Sequence, residues 1–202
     1  MTTLADFDAA FAHRYANRPE GWGQGDRWPA FRYIAAYLLG LQRPVTIVET
    51  GTARGAGNWL GDGQSTLLWD WIVAHVGGRL DSVDIDAAAC DTAHAQMTSK
   101  ESRVWCADSI YLLRSMADDV LMPDWSPDLV FLDSYDYDFA MASPLHHVGE
   151  LAAVAKRLQK GALVAVDDCH ERDQGKQVLV ADYFERAGKV PLVTGYVTVW
   201  EW

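Results

Sequence analysis

The chain has 202 residues, of which 50% are hydrophobic and 22% are charged, so it is long enough for one domain with a sizeable core. Acidic residues outnumber basic ones by 28 to 17, and the formal net charge of −11 argues against a surface that binds nucleic acid or an anionic membrane. Three cysteines without a CxxC pair argue against a disulfide framework or a zinc knuckle. With no evident signal peptide and no apolar run of bilayer length, the sequence predicts a cytoplasmic protein.

Two helices are predicted ahead of the first strand. Apolar residues at helical spacing predict one helix over 3–16, and Pro29 opens a second helix that ends near Gly40. We expect residues 1–43 to form an N-terminal helical cap over the ligand edge of a sheet, with a packing appendage as the alternative. Residues 44–202 would form the core of the same single domain.

From residue 45 onward, predicted strands and helices alternate. Strands are predicted at 45–49, 80–84, 103–107, 129–133 and 162–167, with helices at 65–76, 87–99, 109–117, 144–160 and 175–187. The tail is predicted to form two more strands, 190–194 and 197–202, joined by a tight turn at Gly195. Repeated β-α units predict an α/β fold: a Rossmann-like, seven-stranded, mostly parallel sheet with helices on both faces.

The first predicted strand ends in a distinctive motif. Glu49 closes a β-branched run, a turn containing Gly51 and Gly55 follows, and the next helix begins at Ser65. Glycines allow the backbone to approach a ligand closely, and the first turn of a helix offers free N–H groups to an anion. The motif is therefore typical of a cofactor pocket in an open α/β sheet.

Each of the first five predicted strands ends in an acidic residue or is followed directly by one. They are Glu49, Asp84, Asp108, Asp133 and the pair Asp167-Asp168. Ligands of parallel sheets bind at this carboxyl edge, although a helix cap would explain any one of these acids alone. Asp84 could accept hydrogen bonds from a ribose diol, and Asp108 with Ser109 could contact the edge of a base.

Asp133, Asp167 and Asp168 form a sharper cluster. If their strands are neighbours, the strand ends lie about 5 Å apart, and three carboxylates that close repel each other unless a proton or a cation intervenes. Hard oxygen ligands suit Mg²⁺ or a related divalent ion, whereas helix caps and surface acids are the alternative explanation. Asp136, His146 and His147 follow nearby, and the histidines are candidates for proton removal or for metal ligation.

Taken together, these motifs resemble those of class I S-adenosylmethionine (SAM)-dependent methyltransferases over roughly residues 45–202. The segment E-T-G-T-A-R-G at 49–55 is similar to their first motif, S-V-D-I-D at 82–86 to their ribose motif, and A-D-S at 107–109 to their adenine motif. The resemblance implies a sheet with an antiparallel last strand and SAM as cofactor. It implies cofactor contacts from Glu49, Gly51, Thr52, Gly55, Gly63, Ser65, Asp84, Ile85, Asp108, Ser109 and Asp133.

Within that class, residues 128–133 and 161–168 resemble the metal-dependent small-molecule O-methyltransferases of the catechol and macrocin types. The resemblance implies that Asp133, Asp167 and Asp168 bind Mg²⁺ or another divalent cation, which chelates the hydroxyls of the acceptor. Asp133 and Asp136 are the predicted catalytic acids of this site. His146 or His147 would be the base if the enzyme works without a metal, as some relatives of this fold do. The chain departs from the family by an insertion at 56–63, and it has Asp136 where the catechol type has a lysine base.

The expected function is an enzyme that transfers a methyl group from SAM to an oxygen of a small polar acceptor. The expected partners are therefore a small-molecule acceptor and neither nucleic acid nor membrane, and a homodimer would be compatible with this. Three alternatives stay open: a metal-independent methyltransferase with a histidine base, a nicotinamide-dependent oxidoreductase, and a non-catalytic cofactor-binding protein. The missing G-x-G-x-x-G and the terminal hairpin count against the oxidoreductase.

Overall fold

The computed structural model describes residues 2–16, 26–118, 124–137, 141–169 and 174–202. The helices among these residues are α1 Leu4–Tyr15, α2 Trp28–Gly40, α3 Ser65–Val76, α4 Ala87–Gln96, α5 Ser109–Ala117, α6 Ala142–Val154 and α7 Val178–Arg186. The strands are β1 Val45–Thr50, β2 Gly78–Asp84, β3 Ser102–Cys106, β4 Leu129–Leu132, β5 Leu163–Val166 and β6 Thr198–Glu201. A short 3₁₀ turn, Ala155–Arg157, follows α6.

The strands form one sheet in the order β3-β2-β1-β4-β5-β6. The first five strands are parallel to one another, and β6 runs antiparallel to β5. The predicted α/β fold class is thereby confirmed. The sheet order reverses direction between β1 and β4, which brings their carboxyl ends side by side at the centre of the sheet.

The tail contributes one strand of this sheet where the sequence predicted two. Of the predicted strand at 190–194, only Val193 forms an isolated bridge, to Val199. Pro191 has no N–H to donate to a ladder, and Val190 is 78% exposed. Among the described residues, Leu192 and Val193 form backbone hydrogen bonds only with Val199, so the pairing does not extend into a regular strand. The sheet therefore has six strands in the described part of the chain.

Two hydrophobic clusters cover the two faces of the sheet, and β4 shows how the sequence divides between them. Leu129 and Phe131 belong to the cluster that contains α1, α2 and α3. Val130 and Leu132 belong to the cluster that contains α5, α6 and α7. Successive side chains of a strand point to opposite faces, so an uninterrupted apolar strand fills both clusters.

The two N-terminal helices pack against α3 on one face of the sheet. Thr3 caps α1 through a reciprocal capping box with Asp6, and Phe7 of α1 stacks on Trp28 of α2 with ring centroids 5.6 Å apart. These helices bury aromatic side chains in the first cluster. None of the helices in the described ranges is long and apolar enough to cross a membrane.

Candidate functional site

Two adjoining cavities lie at the carboxyl edge of the sheet, where β1, β2 and β4 end. The first has a volume of about 190 Å³, and we name it the Gly51 cavity; its lining includes Gly51, Thr52, Arg54, Asp84, Asp133 and Asp136. The second has about 270 Å³, and we name it the His146 cavity; its lining includes Asp84, Ile85, Asp108, Ser109, Ser134 and His146. Asp84 and Ser134 line both cavities, so one elongated ligand could occupy the two together. A larger cavity of about 420 Å³ is lined instead by α7 and the tail.

Asp84 stands at the junction of the two cavities. It is the last residue of β2, and its carboxylate accepts hydrogen bonds from the backbone N–H groups of Thr52, at 3.1 Å, and Asp86, at 2.9 Å. A carboxylate has about four acceptor positions, so positions remain for the hydroxyls of a ligand. The two backbone bonds hold the carboxylate in place before any ligand arrives.

Gly51 allows two loops to meet at the floor of its cavity. Its φ of 81° lies in the left-handed region, and a Cβ atom there would be 2.5 Å from the backbone oxygen of Asp133. Only glycine fits such a close approach without a shift of the backbone. The next residue, Thr52, is 8% exposed, and within the described ranges its hydroxyl has no hydrogen-bond partner, which leaves it available to a ligand.

The His146 cavity contains the residues predicted for the adenine side. Asp108 caps α5 by accepting from the Tyr111 N–H at 2.8 Å. Ser109 Oγ lies 3.0 Å from Nε2 of His146, and Ile85 leaves 76% of its surface exposed at the cavity. The exposed apolar side chain can pack against the face of a purine ring, and the polar groups beside it can bind the edge of the ring.

Glu49 and Ser65 line neither cavity, so their contacts with the cofactor stay predictions. The carboxylate of Glu49 is completely buried and accepts hydrogen bonds from the hydroxyls of Ser65 at 2.5 Å, Thr66 at 2.7 Å and Ser82 at 2.6 Å. Burial raises the pKa of Glu49 to about 7, and the three hydroxyls act against that rise. Glu49 therefore joins β1, β2 and the first turn of α3 beneath the site.

Gly55 and Gly63 belong to a folded loop and also line neither cavity. The carboxylate of Asp62 organises this loop by accepting from the N–H groups of Arg54, at 3.2 Å, and Gly55, at 3.0 Å. The carbonyl of Gly63 accepts from the hydroxyl of Tyr15 at 2.7 Å. The inserted residues 56–63 are thus connected to α1, and the predicted contacts of these two glycines with the cofactor have no support in their placement.

The two adjacent histidines have different surroundings. His146 lines its cavity, and its Nε2 lies 3.2 Å from Glu150, which raises the pKa of the imidazole. His147 is completely buried with Nδ1 2.7 Å from the Ser143 carbonyl, so Nδ1 carries the hydrogen. Burial lowers the pKa of His147 to about 4. His147 lines neither cavity, so its predicted role in catalysis has no support in its placement.

Asp133, Asp167 and Asp168 are brought together as predicted, but two basic residues lie among them. Lys176 places its Nζ 2.5 Å from Asp133 and 2.9 Å from Asp168. Arg27 donates from Nε to both oxygens of Asp167, at 3.0 and 2.7 Å, and from Nη2 to Asp168 at 3.1 Å. We name these five residues the acid–base cluster.

The protonation of this cluster follows from burial and from its two cations. Burial raises the pKa of Asp133 well above its usual value and also raises that of Asp167. For Asp168 burial acts in the same direction, but Lys176 and other partners outweigh it and lower the pKa to about 2. Three carboxyls and two cations would leave one surplus negative charge, so a bound proton would make the cluster neutral.

These residues do not fit the divalent cation that the sequence predicted. Each of the three carboxylates already accepts from Lys176 or Arg27, and the Lys176 ammonium lies between Asp133 and Asp168, where a bridging cation would have to be. Within the described ranges, no group of three or more histidine, cysteine or acidic side chains is arranged to hold a metal ion. The counter-charge on which the metal prediction depended is supplied by the protein itself.

Sequence reasoning missed Arg27 and Lys176 as members of the site. Arg27 precedes α2 and contacts residues 140 positions away, and Lys176 lies shortly before α7. No local motif marks either residue. The available signal was the charge balance: three acids predicted to meet at one edge require cations, and both basic residues precede helix starts.

Comparison with protein-family models and with curated protein sequences finds no match to this chain. Several solved structures do match. MycE, a methyltransferase from the mycinamycin biosynthetic pathway solved with Mg and S-adenosylhomocysteine (SAH), has a TM-score of 0.62 and 16% identity, over 99% of this chain and 54% of MycE. The calicheamicin methyltransferase CalS11 has a TM-score of 0.60 and 12% identity, over 98% of this chain and 92% of CalS11. The O-methyltransferase NovP has a TM-score of 0.59 and 13% identity, over 87% of this chain and 78% of NovP.

At these low identities, the likeness concerns the fold. The chain has the fold of class I SAM-dependent methyltransferases, as the sequence motifs predicted. Function has to be argued from the site, because one fold supports many activities.

Proposed function

We propose that this chain is a SAM-dependent methyltransferase that binds its cofactor across the Gly51 and His146 cavities. The observation that carries the proposal is the position of Asp84 between them. Adenosine in the His146 cavity would place its ribose at Asp84 and its base beside Ile85 and Asp108. The methionine part would then extend over Gly51, where the backbone approaches a ligand most closely.

The charge of the Gly51 cavity supports a cationic ligand. Five of its lining residues are aspartates, Asp62, Asp84, Asp86, Asp133 and Asp136, and one is an arginine, Arg54, whose Nη1 lies 3.0 Å from Asp136. SAM carries positive charge on its sulfonium and on its α-ammonium group. A concave, negatively charged wall raises the local concentration of such a ligand and stabilises its charges.

The proposed reaction is the transfer of the sulfonium methyl group to an acceptor hydroxyl oxygen. The C–S bond breaks as the new C–O bond forms, the electron pair of the broken bond goes to sulfur, and the hydroxyl proton leaves. The protein mainly has to align the two reactants, which lowers the barrier by removing their freedom to misorient. Asp133 and Asp136 lie on the wall of the Gly51 cavity and are the candidates to accept the proton.

The acceptor class is proposed by analogy. One structural neighbour, CalS11, is described as a TDP-rhamnose 3′-O-methyltransferase, and NovP is described as an O-methyltransferase. A small polar hydroxylated molecule is therefore the proposed acceptor. Metal assistance does not enter the proposal, because Lys176 and Arg27 already bind the carboxylates that were predicted to hold the ion.

Calorimetry with SAM and SAH tests the cofactor part of the proposal. Asp84→Ala should weaken binding by about 1–3 kcal/mol, because hydrogen bonds between the ribose and a charged group are lost. Asp91→Ala is the matched control, since Asp91 is an exposed acid on α4 that lines neither cavity. Equal affinity of wild type and Asp84→Ala would remove Asp84 from the cofactor site.

A turnover assay tests the reaction. Incubation with SAM and a panel of hydroxylated small molecules, including sugar nucleotides, should release SAH with at least one acceptor. Binding of SAM without turnover on any acceptor would favour a non-catalytic cofactor-binding protein instead.

A further inference from the structure

The ammonium of Lys176 is enclosed in the protein together with its counter-charges. The Lys176 side chain is 0% exposed, and its Nζ contacts one oxygen each of Asp133 and Asp168. A buried ammonium is very costly unless it is paired and hydrogen-bonded. The two carboxylates are therefore the groups that allow Lys176 to be buried with its charge.

Arg27 pairs with two carboxylates of the same cluster, Asp167 and Asp168. Its side chain is 7% exposed, and in addition to Asp167 and Asp168 it binds the carbonyl of Gly61 at 3.2 Å and lies over the ring of Tyr196 at 4.5 Å. A guanidinium stays charged at any accessible pH and has fixed donor directions. Arg27 thus connects the start of α2, the inserted loop and the end of β5 in one arrangement.

We propose that Lys176 and Arg27 take the place of a divalent cation in this chain, so that the acid–base cluster is a closed salt-bridge network and the site works without a metal. The second part rests on the proposed function. Mg²⁺ requires near-octahedral oxygens at about 2.0–2.1 Å, and an ammonium already within hydrogen-bond distance of Asp133 and Asp168 excludes it from the space between them.

The network also assigns a positioning role to Lys176. Asp133 lines the Gly51 cavity with 17% of its side chain exposed, whereas Lys176 itself lines neither cavity. The buried ammonium binds one carboxylate oxygen of Asp133, which fixes how the carboxyl group faces the cavity. A fixed cation therefore orients the same acid that a metal would have bound.

A titration with Mn²⁺ followed by electron paramagnetic resonance tests the proposal on the protein alone. In wild type, the acid–base cluster is expected not to bind Mn²⁺ with a Kd below about 1 mM. Asp168→Asn removes one cluster carboxylate, and Asp91→Asn is the matched control at an exposed acid of α4 that lines neither cavity. Mn²⁺ binding by wild type below about 1 mM that disappears in Asp168→Asn and persists in Asp91→Asn would overturn the proposal.

Lys176→Met gives the opposite arm of the test. Removing the ammonium frees oxygens of Asp133 and Asp168, so the folded variant is expected to bind Mn²⁺ at least about tenfold more tightly than wild type. A folded Lys176→Met with unchanged Mn²⁺ affinity would contradict the proposal. If this variant or Asp168→Asn does not fold, thermal unfolding of wild type is measured in EDTA and in about 10 mM Mg²⁺, because a ligand of the native state raises the midpoint. Equal midpoints support the proposal, and a clear rise with Mg²⁺ contradicts it.

SAH calorimetry on the same samples separates this inference from the proposed function. Protein that binds SAH without Mn²⁺ supports both. Protein that binds neither contradicts the proposed function and still supports the closed network.

Discussion

At the scale of single residues, burial determines what neighbouring identical side chains can do. His146 and His147 are adjacent in α6, but the first lines a cavity beside Glu150 and the second is enclosed. The same contrast separates Asp84, which has free acceptor positions at two cavities, from Glu49, whose carboxylate is covered by three hydroxyls. The strand positions of Asp84 and Glu49 and the helical positions of His146 and His147 were predictable from the sequence, whereas the exposure of these four side chains was not.

His147 should make the stability of the fold dependent on acid. Folding lowers the pKa of His147 from 6.5 to about 4, so the unfolded chain binds a proton first as the pH falls. The contribution of the neutral imidazole to the free energy of unfolding is complete above pH 6.5 and is lost as the pH falls from there through about 4. This contribution amounts to about 3 kcal/mol.

Urea unfolding of wild type and His147→Asn between pH 8 and pH 4 measures this contribution. Asparagine cannot titrate but retains an N–H for the Ser143 carbonyl. The stability of wild type relative to the variant should fall by about 3 kcal/mol across that range. If the unfolding free energies of the two proteins fall in parallel with pH, His147 is not the source of the acid dependence.

Gly51→Ala should disturb the floor of the Gly51 cavity and destabilise the fold. The left-handed φ costs a non-glycine residue about 1–2 kcal/mol, and the overlap of the new Cβ with the Asp133 backbone adds about 1–3 kcal/mol. Gly57→Ala is the control, because Gly57 has a φ of 74° but open space around its Cβ position. Denaturant unfolding should therefore show a larger loss for Gly51→Ala, and equal losses would show that the contact with Asp133 is unimportant.

At the scale of elements, local sequence patterns predicted what is stabilised locally. The ends of β1 to β5 lie within a few residues of the prediction, because apolar periodicity and caps such as Asp86 and Asp108 are short-range signals. The acid–base cluster was only half predicted. Its acids follow strands and are visible in the pattern, whereas Arg27 reaches them through tertiary packing of the N-terminal helices.

Arg27 should contribute more to stability than an exposed arginine of the same helical segment. Arg27→Met keeps much of the side-chain volume but leaves Asp167, which is 1% exposed, without its cation, so a loss of about 3–5 kcal/mol is expected. Arg32→Met is the matched control; it breaks a pair with Asp8 that lies in water, where ion pairs contribute little. Chemical denaturation measures both, and a similar small loss for the two variants would show that the buried pair is not needed for folding.

At the scale of the whole molecule, the ligand that stabilises the native state identifies the cofactor. SAH at 100 times its Kd should stabilise the protein by about 2.7 kcal/mol and raise the midpoint of thermal unfolding by about 5–10 °C. NAD and NADP at the same concentration should leave the midpoint unchanged, since the turn after β1 lacks the dinucleotide G-x-G-x-x-G. A rise with NAD and none with SAH would favour the oxidoreductase interpretation.

The reversal of strand order between β1 and β4 has a consequence for local opening of the molecule. Residues 45–106 build the sheet outward in one direction and residues 129–201 in the other, so the two halves of the chain meet along the β1–β4 seam. Gly51, Thr52 and Asp84 reach the Gly51 cavity from one half, and Asp133 and Ser134 reach it from the other. Neither half alone carries a complete cavity. A ligand bound in this cavity would contact both halves and would therefore oppose their local separation. Amide hydrogens on both sides of the seam should then exchange more slowly, and together, when the ligand is bound.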